Sequence, residues 1–173
     1  VCASIAPLID GQTVLSIAAG LRAGDIGRWL GGRARMVRAM PNTPALIGLG
    51  VTGLYADAAV GEAERARAEE LLSAVGRTVW VDDEKLIDAV TAVSGSGPAY
   101  VFYFIEALVR GGEALGLTAD QARELAIATF TGASALAAQS PESPATLRER
   151  VTSKGGTTEA ALKSMNADAV GDA

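Results

Sequence analysis

Ser94–Gly112 reads SGSGPAYVFYFIEALVRGG: a glycine-rich polar start, one proline, then a dense apolar run. Tyr, Val, Phe and Ile all favour sheet, so Tyr100–Ile105 alone fits a buried strand. Two features favour helix instead. Pro98 suits the first helical position, where its missing N–H costs nothing. The run also extends through Glu106, Ala107, Leu108 and Val109, longer than most strands. Glu106 is the one charge between Val101 and Val109. A helix apolar nearly all round must be covered nearly all round. The stretch therefore predicts the central helix of a helical domain, buried in part by a second subunit. Its start has two readings. Ser94, Gly95, Ser96 and Gly97 can present amides and hydroxyls to an anion at a helix N-terminus. Equally, Ser96 can be a plain N-cap with turn glycines around it.

The rest of the composition narrows the class. The chain has 173 residues, 49% of them apolar, enough for one domain or two small ones. Its formal charge of -5 disfavours a general nucleic-acid surface. One cysteine excludes an intrachain disulfide and a cysteine zinc cluster. There is no histidine, so histidine acid–base chemistry is excluded and no metal site is expected. No apolar run is read as a membrane span, and no signal-peptide pattern is visible. The expectation is a cytoplasmic protein without a membrane partner. Both ends are expected to be cut.

Upstream, Val1–Ile9 reads as a helix tail and Thr13–Ile17 as a short strand. Ala18, Ala19 and Gly20 are small, as beside a ligand or in a close turn. Leu21–Leu30 reads as a helix ending at Gly31 and Gly32, and Ala34–Met40 as a second strand interrupted by Arg35 and Arg38. This alternation predicts the later part of an open α/β unit. Pro41, Asn42, Thr43 and Pro44 form a rigid polar corner. Such a corner is either a plain turn or a ligand position at the carboxyl end of a strand.

Gly48, Gly50 and Gly53 match G-x-G-x-x-G, but the match is rejected. The fingerprint needs a preceding strand and a following helix. Here Pro44 precedes it and VTGLYA reads as strand. Glu62–Val75 is a predicted helix packing through Ala63, Ala66, Leu71, Leu72 and Val75, and ending at Gly76. Arg77–Val81 is a strand. Asp82 and Asp83 open another helix, with Leu86, Ile87, Val90 and Val93 at packing positions and Asp83 as a cap. Glu84, in its first turn, reads from position alone as dipole compensation.

Past the central helix, Thr118 and Gln121 form a capping box for a helix running to about Gln139. Its predicted stripe is Ala122, Leu125, Ala126, Thr129, Phe130, Ala133, Leu136 and Ala137. Ala145–Val151 is a short helix with Leu147 and Val151 inward. Val151–Leu162, VTSKGGTTEAAL, repeats the pattern of hydroxyls and glycines before a helix. It is either a second anion-binding nest or a cap supplied by Thr158.

AMPNTPA (Ala39–Ala45), DAVTAVSGSGPAYVF (Asp88–Phe102) and VTSKGGTTEAAL, in this order, closely resemble the pyrroline-5-carboxylate reductase family. The resemblance covers nearly the whole chain. It implies an α/β plus all-α fold: residues 1–82 as the later part of a Rossmann-type NAD(P)-binding domain, and residues 83–173 as an all-helical dimerisation and substrate domain. It also implies a fingerprint-bearing half before Val1 and a last helix beyond Ala173.

The implied activity is reduction of 1-pyrroline-5-carboxylate to proline by NADPH or NADH, the last step of proline synthesis. The implied assembly is a homodimer, with larger oligomers such as a decamer common in the family. Cofactor contacts are implied for Ala18, Ala19, Gly20, Met40, Pro41, Asn42, Thr43 and Pro44. Substrate contacts are implied for Ser94, Gly95, Ser96, Gly97, Pro98, Ser153, Gly155, Gly156, Thr157 and Thr158. Glu84 matches an acidic position near the substrate's ring nitrogen and is the implied catalytic residue. Lys154 departs from the pattern, since family members often carry proline there; it is expected to face solvent. The rival enzyme readings are a β-hydroxyacid-dehydrogenase-like reductase or another imine reductase. The first usually carries a lysine in the central helix, and Tyr100–Val109 has none. The non-enzyme reading is an inactive helical dimerisation module.

Overall fold

The computed structural model describes residues 1–171. Four strands form one sheet in the order β1 (Thr13–Ser16), β2 (Arg35–Met40), β3 (Gly50–Ala56), β4 (Gly76–Trp80). β1 and β2 pair in parallel, as do β3 and β4, but β2 and β3 are antiparallel. The sheet is therefore mixed, where the strand–helix alternation alone suggests a parallel one. The reason lies in residues 41–49, which hold only a 3₁₀ segment, Thr43–Ile47. A parallel return needs a crossover of about a dozen residues or more, so β3 turns back.

Alternation along β2 decides which helix covers which face. Val37 and Ala39 join Leu54, Ala56 and Val60 beneath Ala68 and Leu72 of α3 (Glu62–Ser73). Met36 packs on the other face with Ala23, Ile26 and Leu30 of α2 (Ala23–Trp29) and its end. The short α1 (Cys2–Ile5) contributes Cys2 and Ile5 to that cluster. Leu54 is fully buried, so its truncation to alanine should cost about 2–5 kcal/mol. In α3 the expected stripe is corrected: Ala63, Ala66 and Leu71 are exposed, while Ala68 and Leu72 bury. Gly76 begins β4 rather than merely ending α3. Its φ is +146°, and a Cβ there would lie 2.0 Å from the Gly50 carbonyl oxygen. No other residue type fits that approach.

On the α2 face, α4 (Leu86–Val90) crosses β3. Ile87 is fully buried. A Cβ on Gly53 would sit 2.5 Å from Val90 Cγ1, so a glycine in mid-strand lets the helix lie close. Of the other expected packing residues, Leu86 is about half exposed and Val93 more so. From α4 the chain passes through a π-helical turn, Thr91–Gly95, into α5 (Gly97–Ala114). The predicted separate helix start is thus corrected. Ser96 keeps helical angles, φ −85° and ψ −21°, and helix runs from Leu86 to Ala114. By length and composition that stretch is long and apolar enough to cross a membrane, contrary to expectation. Core helices of soluble proteins meet the same criteria.

The chain separates into two compact units, Val1–Tyr103 and the part from Phe104 onward. The first reaches beyond residue 82 because Ile87 and Val90 pack on the sheet. In the second, α6 (Ala119–Gln139) opens with the predicted capping box: Thr118 Oγ1 accepts from the Gln121 N–H, and Gln121 Oε1 from the Thr118 N–H. Gly112 approaches Ala122 and Leu117 closely. Ala122 and Ala126 are buried, but Leu125 and Leu136 of the expected stripe are exposed. The unit continues with α7 (Pro144–Arg150), capped by Ser143, and α8 (Thr157–Ala167). Leu147 is half-buried and Val151 exposed.

Candidate functional site

Because β1 and β2 run parallel, the segments after them leave the same edge of the sheet. Ala18–Gly20 follows β1, and Met40–Pro44 ends and follows β2. Ligands of open α/β sheets bind outside carboxyl strand ends. Gly20 has φ +74° and open space where a Cβ would be. The Ala18 N–H donates to Ser16 Oγ at 3.3 Å, which tightens the turn. Ala18, Ala19 and Gly20 put only small side chains at this edge.

The structure brings the corner after β2 against the π turn. Asn42 Nδ2 donates to the Ser94 carbonyl at 3.2 Å, and Asn42 Oδ1 accepts from the Val51 N–H at 2.9 Å. Met40 Cε would lie 2.7 Å from a Cβ on Gly95, so the end of the Met40 side chain lies against Gly95. The Ser94 hydroxyl donates back to the Val90 carbonyl at 2.9 Å, and Thr91 Oγ1 does the same to Ile87. The Ser96 N–H donates to the Thr91 carbonyl at 2.8 Å, the i→i+5 bond of a π turn. π-bulges within helices are frequent at functional sites. The free helix N-terminus expected at Ser94–Gly97 is absent; the π turn Thr91–Gly95 leads into α5, whose second residue is Pro98.

Glu84 has partners that its position in the chain does not suggest. Its Oε1 accepts from the Ala23 N–H at 2.6 Å and from Arg38 Nη1 at 3.2 Å. The Arg38 side chain is only 5% exposed and that of Glu84 is 22% exposed. Arg38 shares the Met36 face of β2, so its charge is directed under α4. The carboxylate therefore ties together β2, the start of α2 and the approach to α4. Beside it lies a cavity of about 230 Å³ lined by Arg22, Tyr55, Asp83, Lys85 and Asp88 as well as the pair. Arg38 and the Ala23 amide escape a reading by motif. Their signal was an arginine in the middle of a largely apolar strand, and such a charge, once buried, demands a partner.

Ser153–Thr158 belongs to the second unit. Gly155 has φ +76° and its N–H donates to Glu159 Oε2 at 2.6 Å. The Gly156 N–H donates to the Ser153 carbonyl at 3.0 Å. Gly156 is the N-cap of α8 and makes no side-chain cap bond. Thr157 and Thr158 are thus the first two helical residues, and the expected Thr158 cap is corrected. Lys154 is exposed.

Residues 84–173 match the family model for pyrroline-5-carboxylate reductase dimerisation. A pyrroline-5-carboxylate reductase of Pseudomonas aeruginosa is 51% identical over 169 residues, covering 97% of this chain and 62% of the relative. One from Haemophilus influenzae is 45% identical, covering 87% and 56%. Among solved structures, a pyrroline-5-carboxylate reductase from Coxiella burnetii superposes with a TM-score of 0.92 at 40% identity, covering 99% of this chain and 64% of that one. A Plasmodium falciparum pyrroline carboxylate reductase with NADP bound gives 0.91 at 29% identity, covering 98% and 68%. The chain thus spans about three-fifths of the length of the curated relatives it matches.

Proposed function

The chain belongs to the pyrroline-5-carboxylate reductase family, and from that premise we propose that the full-length protein reduces 1-pyrroline-5-carboxylate to proline. The observation that carries the reading is the family match over residues 84–173. NADP bound to the Plasmodium falciparum relative favours NADPH over NADH as the donor.

The substrate is a cyclic imine bearing a carboxylate, and its imine carbon is electrophilic when the nitrogen is protonated. A nicotinamide cofactor supplies the hydride when bound. The chain's own contribution is alignment, which lowers a barrier without a covalent step. Ala18–Gly20 and the Met40–Pro44 corner are assigned to the cofactor side. Gly95–Pro98 carries the substrate role, with Ser96 as the hydroxyl donor; the Ser94 hydroxyl is committed to Val90. Ser153, Gly155, Gly156, Thr157 and Thr158 retain the substrate role that the family likeness gives them. Glu84 is read as a structural tie to Arg38, not as the catalytic residue.

The same match supports self-association as a homodimer. Tyr100, Val101, Phe102 and Leu108 of α5 are all exposed in the single chain, an apolar load that a second copy would cover. The test of the reaction is loss of reduced-nicotinamide absorbance when the full-length protein meets the cyclic imine. Turnover without added metal is the expected result. A folded, cofactor-binding protein that leaves this substrate unreduced would end the assignment.

A further inference from the structure

We infer that Asn42 is a positioning residue: its side chain sets the π turn that presents Gly95–Pro98 against the corner after β2, and it is not a cofactor ligand. The inference rests on the reaction proposed above. It begins from the Ser94 carbonyl. In an α-helix that acceptor would take the N–H of residue 98, but residue 98 is proline and has none. In a π-helix it would take the N–H of residue 99, but Ala99 donates to the Ser96 carbonyl at 2.9 Å. Neither of those two donors serves the Ser94 carbonyl, and a part-buried carbonyl needs a partner.

Asn42 supplies it. Nδ2 reaches the Ser94 carbonyl at 3.2 Å. At the other end Oδ1 accepts the Val51 N–H at 2.9 Å. The amide is thereby held at both ends by backbone, on a corner braced by Pro41 and Pro44. Met40 against Gly95 is the second contact between the same two segments. Asn42 thus fixes the spacing between the cofactor-side corner and the substrate-side turn. Hydride transfer needs reacting atoms about 3–3.5 Å apart, and a misplacement of about 1 Å can cost roughly a hundredfold.

The test uses Asn42→Ala and Asn42→Asp in the full-length protein. Asp keeps the acceptor for Val51 and loses the donor to Ser94, so it should fail with Ala. For both, kcat should fall roughly tenfold to a hundredfold, while the dissociation constant of NADPH, measured by fluorescence titration, changes less than about twofold. A weakened NADPH affinity with kcat intact would make Asn42 a cofactor ligand and overturn the inference. So would an Asn42→Asp enzyme with full kcat.

A second measurement needs no turnover. In a Pro98→Ala background, residue 98 brings its own N–H to the Ser94 carbonyl. There Asn42→Ala should lower the urea midpoint less than it does in the wild-type background. Equal losses in both backgrounds would overturn the link through Ser94. A wild-type enzyme that fails to turn over would remove the proposed reaction, and the urea comparison would still decide the link.

Discussion

Replacing Glu84 separates a structural carboxylate from a catalytic one. Arg38 is buried in the sheet, with a side chain 5% exposed, and Glu84 is its ion-pair partner at 3.2 Å. Removing one partner of a buried pair costs about 3–5 kcal/mol, because the other charge stays buried and alone. Glu84 keeps 22% exposure, so water already screens part of the pair and the low end applies, about 3 kcal/mol. Glu84→Ala also strips the acceptor from the Ala23 N–H, worth about 1 kcal/mol more. With a urea slope of about 2 kcal/mol/M, the midpoint should fall by about 1.5–2 M. Glu84→Gln keeps an oxygen for both donors but not the counter-charge to Arg38, so it should lose less than Glu84→Ala, about 2–3 kcal/mol. Replacing the pair together, Arg38→Met with Glu84→Leu, should recover most of the loss, since no charge is then left buried. Urea melts followed by circular dichroism, paired with steady-state kinetics, give the answer. A Glu84→Ala enzyme with an unchanged midpoint and a collapsed kcat would refute the structural reading and return the carboxylate to catalysis.

Three further outcomes follow from named contacts. Gly53→Ala should destabilise by about 1–3 kcal/mol through overpacking against Val90, and Val90→Ala in the same chain should relieve most of it; urea melts check both. Thr158→Ala should leave stability within about 0.5 kcal/mol, because Gly156 is the α8 N-cap. Its substrate KM should nonetheless rise about tenfold, the worth of one hydrogen bond to a carboxylate; an unchanged KM would remove Thr158 from the substrate set. Phe102→Glu should abolish self-association in sedimentation velocity, because Phe102 is 63% exposed on the single chain and a charge there would be buried by the second copy.

Regular elements were legible because their signals are local. The capping box of Thr118 and Gln121, the strand in VTGLYA and the helix of α3 each depend on residues within one or two turns. Rejection of the Gly48–Gly50–Gly53 fingerprint was legible for the same reason. What these glycines do was not. A Cβ on Gly50 would meet Ala45 and the Val75 carbonyl, and one on Gly53 would meet Val90; Val75 and Val90 are far away in sequence. The antiparallel β3 hid in the shortness of residues 41–49, a topological consequence that periodicity does not carry. The α3 stripe erred because Leu71 and Leu72 are adjacent, and only the sheet decides which of them faces inward.

The site divides along the same line. Motifs singled out Met40–Pro44 and Ser94–Pro98 separately, and the fold brings the two segments into contact through Asn42 and Ser94. They do not carry the partners of individual side chains, because those depend on what each polar atom meets in the fold. Glu84 read as a helix-dipole or catalytic group until Arg38 and the Ala23 amide stood beside it. Ser96 read as a cap because proline and glycine normally mark a helix start. Here Pro98 instead follows a π turn within a continuing helix, and its missing N–H is felt four residues back, at the Ser94 carbonyl. A proline inside a helix leaves one acceptor unmatched, and the chain satisfies that acceptor with Asn42, more than fifty positions upstream. The pairing was encoded in two motifs that sequence reading treats as separate, and only their contact in space makes them one device.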